Sequence, residues 1–357
     1  MEYSSTQSEI IFSTQPEIDI ESIIGQYHAG KVYVATEENV FKLWFDKLPF
    51  LKSLPLVVIP SGEENKKLTS VELIWEFLSS SGADRKSLLI NIGGGMLTDL
   101  GGFAASTFKR GIDFVNIPTT LLSQVDASVG GKTGINFRGL KNEIGTFNIP
   151  RSVIISTAFL QTLDKKDLLS GFAEMIKHGL IYSSEHFYEL CNVDFDNVDL
   201  KSFQDIIRHS VQVKEYFVQQ DPTEKNIRKA LNFGHTIGHA LESLLLEQQR
   251  PVLHGYAVAW GMMAELYLSR AICGLNPDTS DDICEWIGSL YGTVSVSSDD
   301  FEKLYKLMGH DKKNEAGRIN FTLISSPGNF EINQECSKEL IFESLRFLQN
   351  RKNPEND

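Results

Sequence analysis

Along the first 160 residues, short apolar runs alternate with longer amphipathic stretches. Residues 31–36, 54–60, 87–92, 112–117 and 152–156 are apolar runs closed by polar or turn residues, which predicts strands. Between them Leu68, Val71, Ile74, Trp75 and Leu78 recur at i, i+3, i+6, i+7 and i+10, one face of a helix. A second helical stretch follows Gly93-Gly94-Gly95 and runs to Phe108. Such alternation predicts an α/β domain over residues 1–160, with a mostly parallel sheet covered on both faces. Beyond it, 166–180, 200–218, 229–246 and 256–271 all carry helical periodicity, and a second, mainly helical domain is expected over 161–357. A late strand pair, 319–324 and 329–332, precedes a closing helix and a charged tail, while residues 1–30 read as a polar, acidic leader.

The length of 357 residues is enough for two domains of roughly 150 residues. With 41% hydrophobic and 23% charged residues, the composition is that of a soluble globular protein. Lys and Arg total 34 against 47 Asp and Glu, a net charge of -13, which argues against a nucleic-acid or anionic-membrane partner. The apolar run 54–59 is far shorter than the ~20 residues of a membrane span. Residues 1–30 contain no Lys or Arg, so neither a secretory nor a transit signal is read there. The four cysteines form no C-x-x-C pair and read as reduced thiols of a cytoplasmic protein.

Chemistry enters with glycine. Of 27 glycines, 11 lie between Gly93 and Gly145, so the backbone there is kept bare for turns or for close approach of a ligand. In NIGGGMLTDLGGF a strand runs into Gly94, Gly95 and a helical stretch bearing Asp99. The turn either offers backbone N–H groups to a pyrophosphate or is simply tight, and Asp99 is either a ligand contact or a cap. The segment IPTTLLSQVDASVGGKTGINFRGLKNEIG then gathers Thr119, Thr120, Asp126, Lys132, Lys141 and Asn142 with little apolar periodicity, and reads as site-forming loop. Lysines beside Gly-Gly suit a phosphate, although solvated surface lysines are common.

In the helical half, NFGHTIGHALE places His235 and His239 at i, i+4 on one helix face, which is either metal-ligand spacing or a packing coincidence. His254 can return a further imidazole to that place and Glu174 a carboxylate, the makings of a catalytic zinc site. Glu174 and Lys177 lie at i, i+3 in SGFAEMIKHG, either as an exposed ion pair or as a partly buried one marking a site. Lys214, Arg228 and Asn232 precede the histidine helix, and Lys312 and Lys313 lie in the turn before the late strands.

Taken together, GGGMLTDLGGF, KRGIDFVNIPTTLLSQVDASVGGKTGIN, LKNEIG, SGFAEMIKHG, LNFGHTIGHALE and LHG resemble the 3-dehydroquinate synthases of the sugar-phosphate cyclase superfamily, over about residues 31–332. The resemblance implies a Rossmann-like NAD-binding α/β domain, a helical metal-binding domain and a homodimer. It implies Glu174, His235 and His254 as ligands of a divalent metal, Zn2+ or Co2+, with His239 left to act on substrate. NAD contacts would come from Glu37, Glu63, Lys66, Gly94, Gly95, Asp99, Thr119, Thr120, Lys132, Lys141, Phe159 and Thr162. The substrate, a small sugar phosphate carrying a carboxylate, would meet Asp126, Lys132, Asn142, Lys177, Lys214, Arg228, Asn232, His239 and Lys312 or Lys313, with Arg110 reaching the other subunit's phosphate. The implied reaction is that of a lyase of the shikimate pathway. Transient oxidation by NAD would permit phosphate elimination, followed by reduction and aldol closure to 3-dehydroquinate.

Three positions depart from the family pattern. Glu37 stands where Asp is common, Asp221-Pro222-Thr223-Glu224-Lys225-Asn226-Ile227-Arg228 replaces D-E-x-E-x-G-x-R, and His254-Gly255-Tyr256 replaces H-G-E. Asn226, standing for a glycine, tolerates positive φ, and Tyr256 removes a carboxylate that would support a metal ligand. The rival readings are another cyclase, such as a 2-deoxy-scyllo-inosose synthase, and a metal-dependent polyol dehydrogenase. The intact DASVGGKTGIN and the Lys and Arg set favour the dehydroquinate synthase reading.

Overall fold

A computed structural model describes residues 8–27, 31–138, 140–309 and 319–351. The chain divides into two compact units, Met1–Asp164 with Val198–Val211, and Lys165–Asn197 with Gln212–Asp357. The first holds β1 (Glu9–Phe12), α1 (Pro16–Gly25), β2 (Val32–Glu37), α2 (Glu38–Trp44), β3 (Leu56–Ile59), α3 (Leu68–Ser80), β4 (Leu88–Gly93), α4 (Gly95–Thr107), β5 (Asp113–Pro118), β6 (Lys132–Phe137), β7 (Leu140–Phe147) and β8 (Ser152–Ile155). Six of these strands form one parallel sheet in the order β1-β8-β5-β4-β2-β3.

Side chains of a strand point alternately to opposite faces, and here the two faces build two cores. Val32, Val34, Leu88, Ile90 and Ile92 pack with Ile20, Val40, Trp44 and Phe45 of α1, α2 and the residue after α2. Tyr33, Ala35 and Leu89 face the other way onto Val71, Ile74 and Leu78 of α3 and Leu97, Leu100 and Phe103 of α4. Burial on both faces is why these strands read as continuous apolar runs rather than alternating ones.

Two expectations fail in this unit. The leader contains β1 and α1: Glu9–Phe12 pairs with Ser152–Ile155 at the sheet edge, where a four-residue strand carries little pattern. The second half of the stretch expected as loop is the antiparallel hairpin β6–β7, whose glycines and lysines hide its alternation.

The second unit contains α5 (Lys165–Tyr182), α6 (Ser184–Cys191), most of the latter part of α7 (Leu200–Gln220), α8 (His235–Glu247), α9 (His254–Ile272), α10 (Pro277–Tyr291), α11 (Phe301–Gly309), the antiparallel pair β9 (Asn320–Ser326) and β10 (Asn329–Glu335), and α12 (Lys338–Gln349). The helix expected over 229–246 is broken. A short 3-10 turn, Ile227–Asn232, ends at Phe233, and Gly234 takes φ 79 before α8 begins at His235. That left-handed corner needs glycine. Among the described residues no helix is long and apolar enough to cross a membrane.

Candidate active site

In the second unit α5 is buried from Leu169 to Ile181, so Glu174 and Lys177 lie inside the protein and bond directly to each other. The exposed-pair alternative is thereby excluded. His235 opens α8 and His254 opens α9. A Cβ on Gly255 would stand 1.9 Å from the Ser170 carbonyl oxygen, so only glycine lets the start of α9 meet α5 this closely. The result is convergence: Glu174 Oε1 lies 3.3 Å from His235 Nε2 and 3.3 Å from His254 Nε2.

Two ligands bound at 2.0–2.1 Å to a tetrahedral centre are about 3.3–3.4 Å apart, so this spacing fits a zinc-type ion. The second nitrogens agree with that fit. His235 Nδ1 donates to Phe233 O at 3.1 Å, and His254 Nδ1 lies 3.4 Å from Glu242 Oε2, so on each ring it is Nε2 that faces Glu174 and would be the metal-binding nitrogen. Electrostatics point the same way: burial alone would lift Glu174, but Lys177, His235 and His254 hold it well below the usual range. Burial would lower His254, yet Glu174 and Glu242 lift it to about 9, the mark of a place that attracts positive charge. His239 belongs to the same cluster, its ligand atom within 4.8 Å of those of His235 and His254.

Of the other candidates in this unit, Arg228, Lys214 and Asn232 are buried. Arg228 Nη1 donates to the Pro222 carbonyl at 2.7 Å, so the departure at Pro222 leaves the backbone acceptor intact. Asp221 accepts from the N–H groups of Lys225, Asn226 and Arg228 and ties the turn together. Asn226 has φ -133, so its tolerance of positive φ is not used; the left-handed residue is Glu224, at φ 59. Glu224 Oε1 accepts from Asn232 Nδ2 at 3.1 Å, so this carboxylate, which the sequence reading did not single out, holds a candidate residue. Glu242 was missed likewise, although its place three residues after His239 put it on the histidine face. Tyr256 packs edge-on against Tyr291, and the carboxylate beside His254 Nδ1 is that of Glu242. Lys312 and Lys313 lie outside the described residues.

In the first unit the candidate residues gather at the carboxyl ends of parallel strands, where ligands bind in open α/β sheets. Glu37 ends β2 and accepts from Gly94 N at 2.8 Å; burial lifts its carboxyl against that bond. Gly94 is the N-cap of α4 and Gly95 its first residue, so Asp99, one turn in, is not the cap. Asp99 instead accepts from Lys66 Nζ at 2.6 Å. Burial would lower the Lys66 ammonium, but Asp99 and Glu63 hold it above its usual value. Thr119 N donates to Gly93 O, while Thr120 and Ser123 exchange bonds that cap the turn Ser123–Ala127. That turn carries Asp126, half-buried. Lys132, Lys141, Asn142 and Arg110 are exposed. Phe159 is buried against Trp44, and the Thr162 hydroxyl accepts from Trp44 Nε1.

Family models for the 3-dehydroquinate synthase N-terminal and C-terminal regions match residues 56–170 and 171–314. A 3-dehydroquinate synthase of Parabacteroides distasonis is 46% identical over 345 residues, 96% of this chain and 98% of that one. Among solved structures, a 2-epi-5-epi-valiolone synthase from Streptomyces hygroscopicus with NAD+ and Zn2+ bound is 23% identical with a TM-score of 0.87, covering 99% of both chains. A 2-deoxy-scyllo-inosose synthase complexed with carbaglucose-6-phosphate, NAD+ and Co2+ is 22% identical with a TM-score of 0.81, covering 96% of this chain and 99% of that one. Likeness at this identity concerns the fold.

Proposed function

The chain belongs to the 3-dehydroquinate synthase family, and from that premise we propose how its residues turn 3-deoxy-D-arabino-heptulosonate 7-phosphate into 3-dehydroquinate and phosphate. It is a lyase of aromatic biosynthesis with NAD and a divalent metal as cofactors. Bound NAD supplies a hydride acceptor that is restored within each turnover, and the metal a Lewis acid for the substrate's hydroxyls.

Glu174, His235 and His254 hold the metal, and zinc suits that donor set. His239 moves a proton at the substrate, its imidazole kept near the ligands by the shared helix face. Lys177, Lys214, Arg228 and Asn232 orient the anionic substrate by fixed charge and hydrogen bonds, joined by Asp126, Lys132, Asn142 and a lysine of the pair Lys312 and Lys313. Glu37, Glu63, Lys66, Gly94, Gly95, Asp99, Thr119, Thr120, Lys132, Lys141, Phe159 and Thr162 hold NAD. The working protein is a homodimer in which Arg110 reaches the phosphate bound by the other copy. Exposed Phe147, Leu140 and Ile149 on and beside β7 support an apolar contact between copies. Four free cysteines fit a cytoplasmic setting. The domain division proposed is 1–160 for cofactor and 161–357 for metal and substrate.

The observation that carries this reading is the convergence of Glu174 Oε1 on two imidazole Nε2 atoms at 3.3 Å beside the buried Lys177. The test is phosphate release from 3-deoxy-D-arabino-heptulosonate 7-phosphate with NAD far below substrate, with and without a chelator. Many phosphates per NAD, no accumulating NADH and loss of activity with chelator are expected. Steady NADH production would make the protein a dehydrogenase instead.

A further inference from the structure

Strands β6 and β7 are paired out of step where the site residues lie. Ile135 is opposite Ile144 and Phe137 opposite Leu140, so the single residue Asn136 faces three, Lys141, Asn142 and Glu143. Bulges of this kind re-aim side chains and concentrate beside active sites. Within the bulge Asn142 takes φ 50, a left-handed conformation that persists where the surroundings impose it.

Asn136 is what imposes it. Its Oδ1 accepts from Asn142 N at 2.9 Å, its Nδ2 donates to Glu63 Oε1 at 2.9 Å, and its own N–H donates to Lys66 O at 2.8 Å. Lys66 closes the ring by donating from Nζ to Asn142 Oδ1 at 2.5 Å and to Asp99 Oδ2 at 2.6 Å. Turning the Asn136 amide over would set N–H against N–H and oxygen against carboxylate, so this orientation alone satisfies both neighbours. Aspartate keeps the acceptor but loses the donor, and alanine loses both.

We propose that Asn136 is a positioning residue that locks the Asn142 bulge to the Glu63–Lys66 turn, its side chain setting a substrate contact, Asn142, and a cofactor contact, Glu63, while its backbone N–H holds Lys66. This rests on the assignment of Asn142 to substrate and of Glu63 and Lys66 to NAD. Fixing both through one group couples the two binding events, and such coupling is reciprocal.

The test uses the full-length, metal-loaded enzyme with NAD titrated by calorimetry and the substrate KM measured at saturating NAD. Asn136→Asp sets a carboxylate against Glu63 while keeping the Asn142 bond. It is expected to weaken NAD about tenfold and leave the substrate KM within about twofold. Asn136→Ala is expected to weaken NAD and also raise the substrate KM about tenfold. Adding Glu63→Gln to Asn136→Asp restores a donor and acceptor with their polarity exchanged, and NAD affinity returns to that of Glu63→Gln alone. A merely structural asparagine gives no such rescue. Unchanged NAD affinity in Asn136→Asp, or a loss that Glu63→Gln does not recover, overturns the proposal. A wild-type enzyme that neither binds NAD nor releases phosphate overturns the reading of the site itself, before any variant is compared.

Discussion

Glu174, Lys177 and Arg228 in the second unit are 0%, 1% and 2% exposed, and α5, which carries the first two, meets α9 backbone to backbone at Ser170 and Gly255. In the first unit Lys132, Lys141, Asn142 and Arg110 are exposed, and the covered Glu37 and Lys66 are held by bonds to other members of the same set. The half proposed to hold the metal is therefore shaped by backbone packing, which resists displacement in steps of a methyl group. The half proposed to hold NAD is shaped by polar bonds that can be exchanged one at a time for bonds to a ligand. Substitutions in the two halves accordingly differ in kind: steep and shared losses in one, graded and separable losses in the other.

Gly255→Ala is the strongest way to break that contrast. The added methyl meets backbone at 1.9 Å, so α9 must shift and carry His254 with it. Bound metal is expected to fall together with a stability loss at or above the ~1–3 kcal/mol of ordinary overpacking. Elemental analysis and a thermal melt check both, and a normal metal content in a normally folded variant contradicts the account. Glu242→Gln removes charge behind His254 and leaves the ligands in place. Metal affinity measured by chelator competition should drop about tenfold, with NAD affinity unchanged. Glu37→Asp acts in the other half, withdrawing the carboxylate from Gly94 N. NAD affinity by calorimetry should change by about fivefold and metal content not at all.

The smallest effect expected concerns Asp221. Burial would lift its carboxyl, but the N–H groups of Asn226, Lys225 and Arg228 hold it below the usual range. The fold thus favours the ionised form, and the stabilisation is full above about pH 4 and lost as pH falls through the lower folded value. Asp221→Asn should lower the melting temperature at pH 7 by a margin that shrinks towards pH 3. An equal margin at both pH values contradicts the hydrogen-bond origin.

What could be read from the chain follows the same division between local and distant causes. The buried strands β2, β4, β5 and β8, the stripe of α3 and the i, i+4 histidines are local patterns, and each stood out in the sequence. The edge strand β1 and the hairpin β6–β7 did not, because one is four residues long and the other is interrupted by glycines whose role is close backbone approach. Gly234 ended a helix that periodicity carried straight through. Glu224 and Asn136 were overlooked because their meaning lies in partners reached by folding: Asn136 meets a glutamate 73 positions away. No spacing rule connects such residues, whereas a histidine four residues from another is visible at once.

The central claim is that Glu174, His235 and His254 make one metal centre. The most direct test is zinc per chain, by elemental analysis, in dialysed wild-type and His254→Ala proteins prepared in zinc-supplemented medium and shown by melting to be folded. Stoichiometric zinc in the wild type and near-complete loss in the variant are predicted. A full complement of zinc in His254→Ala would contradict the account.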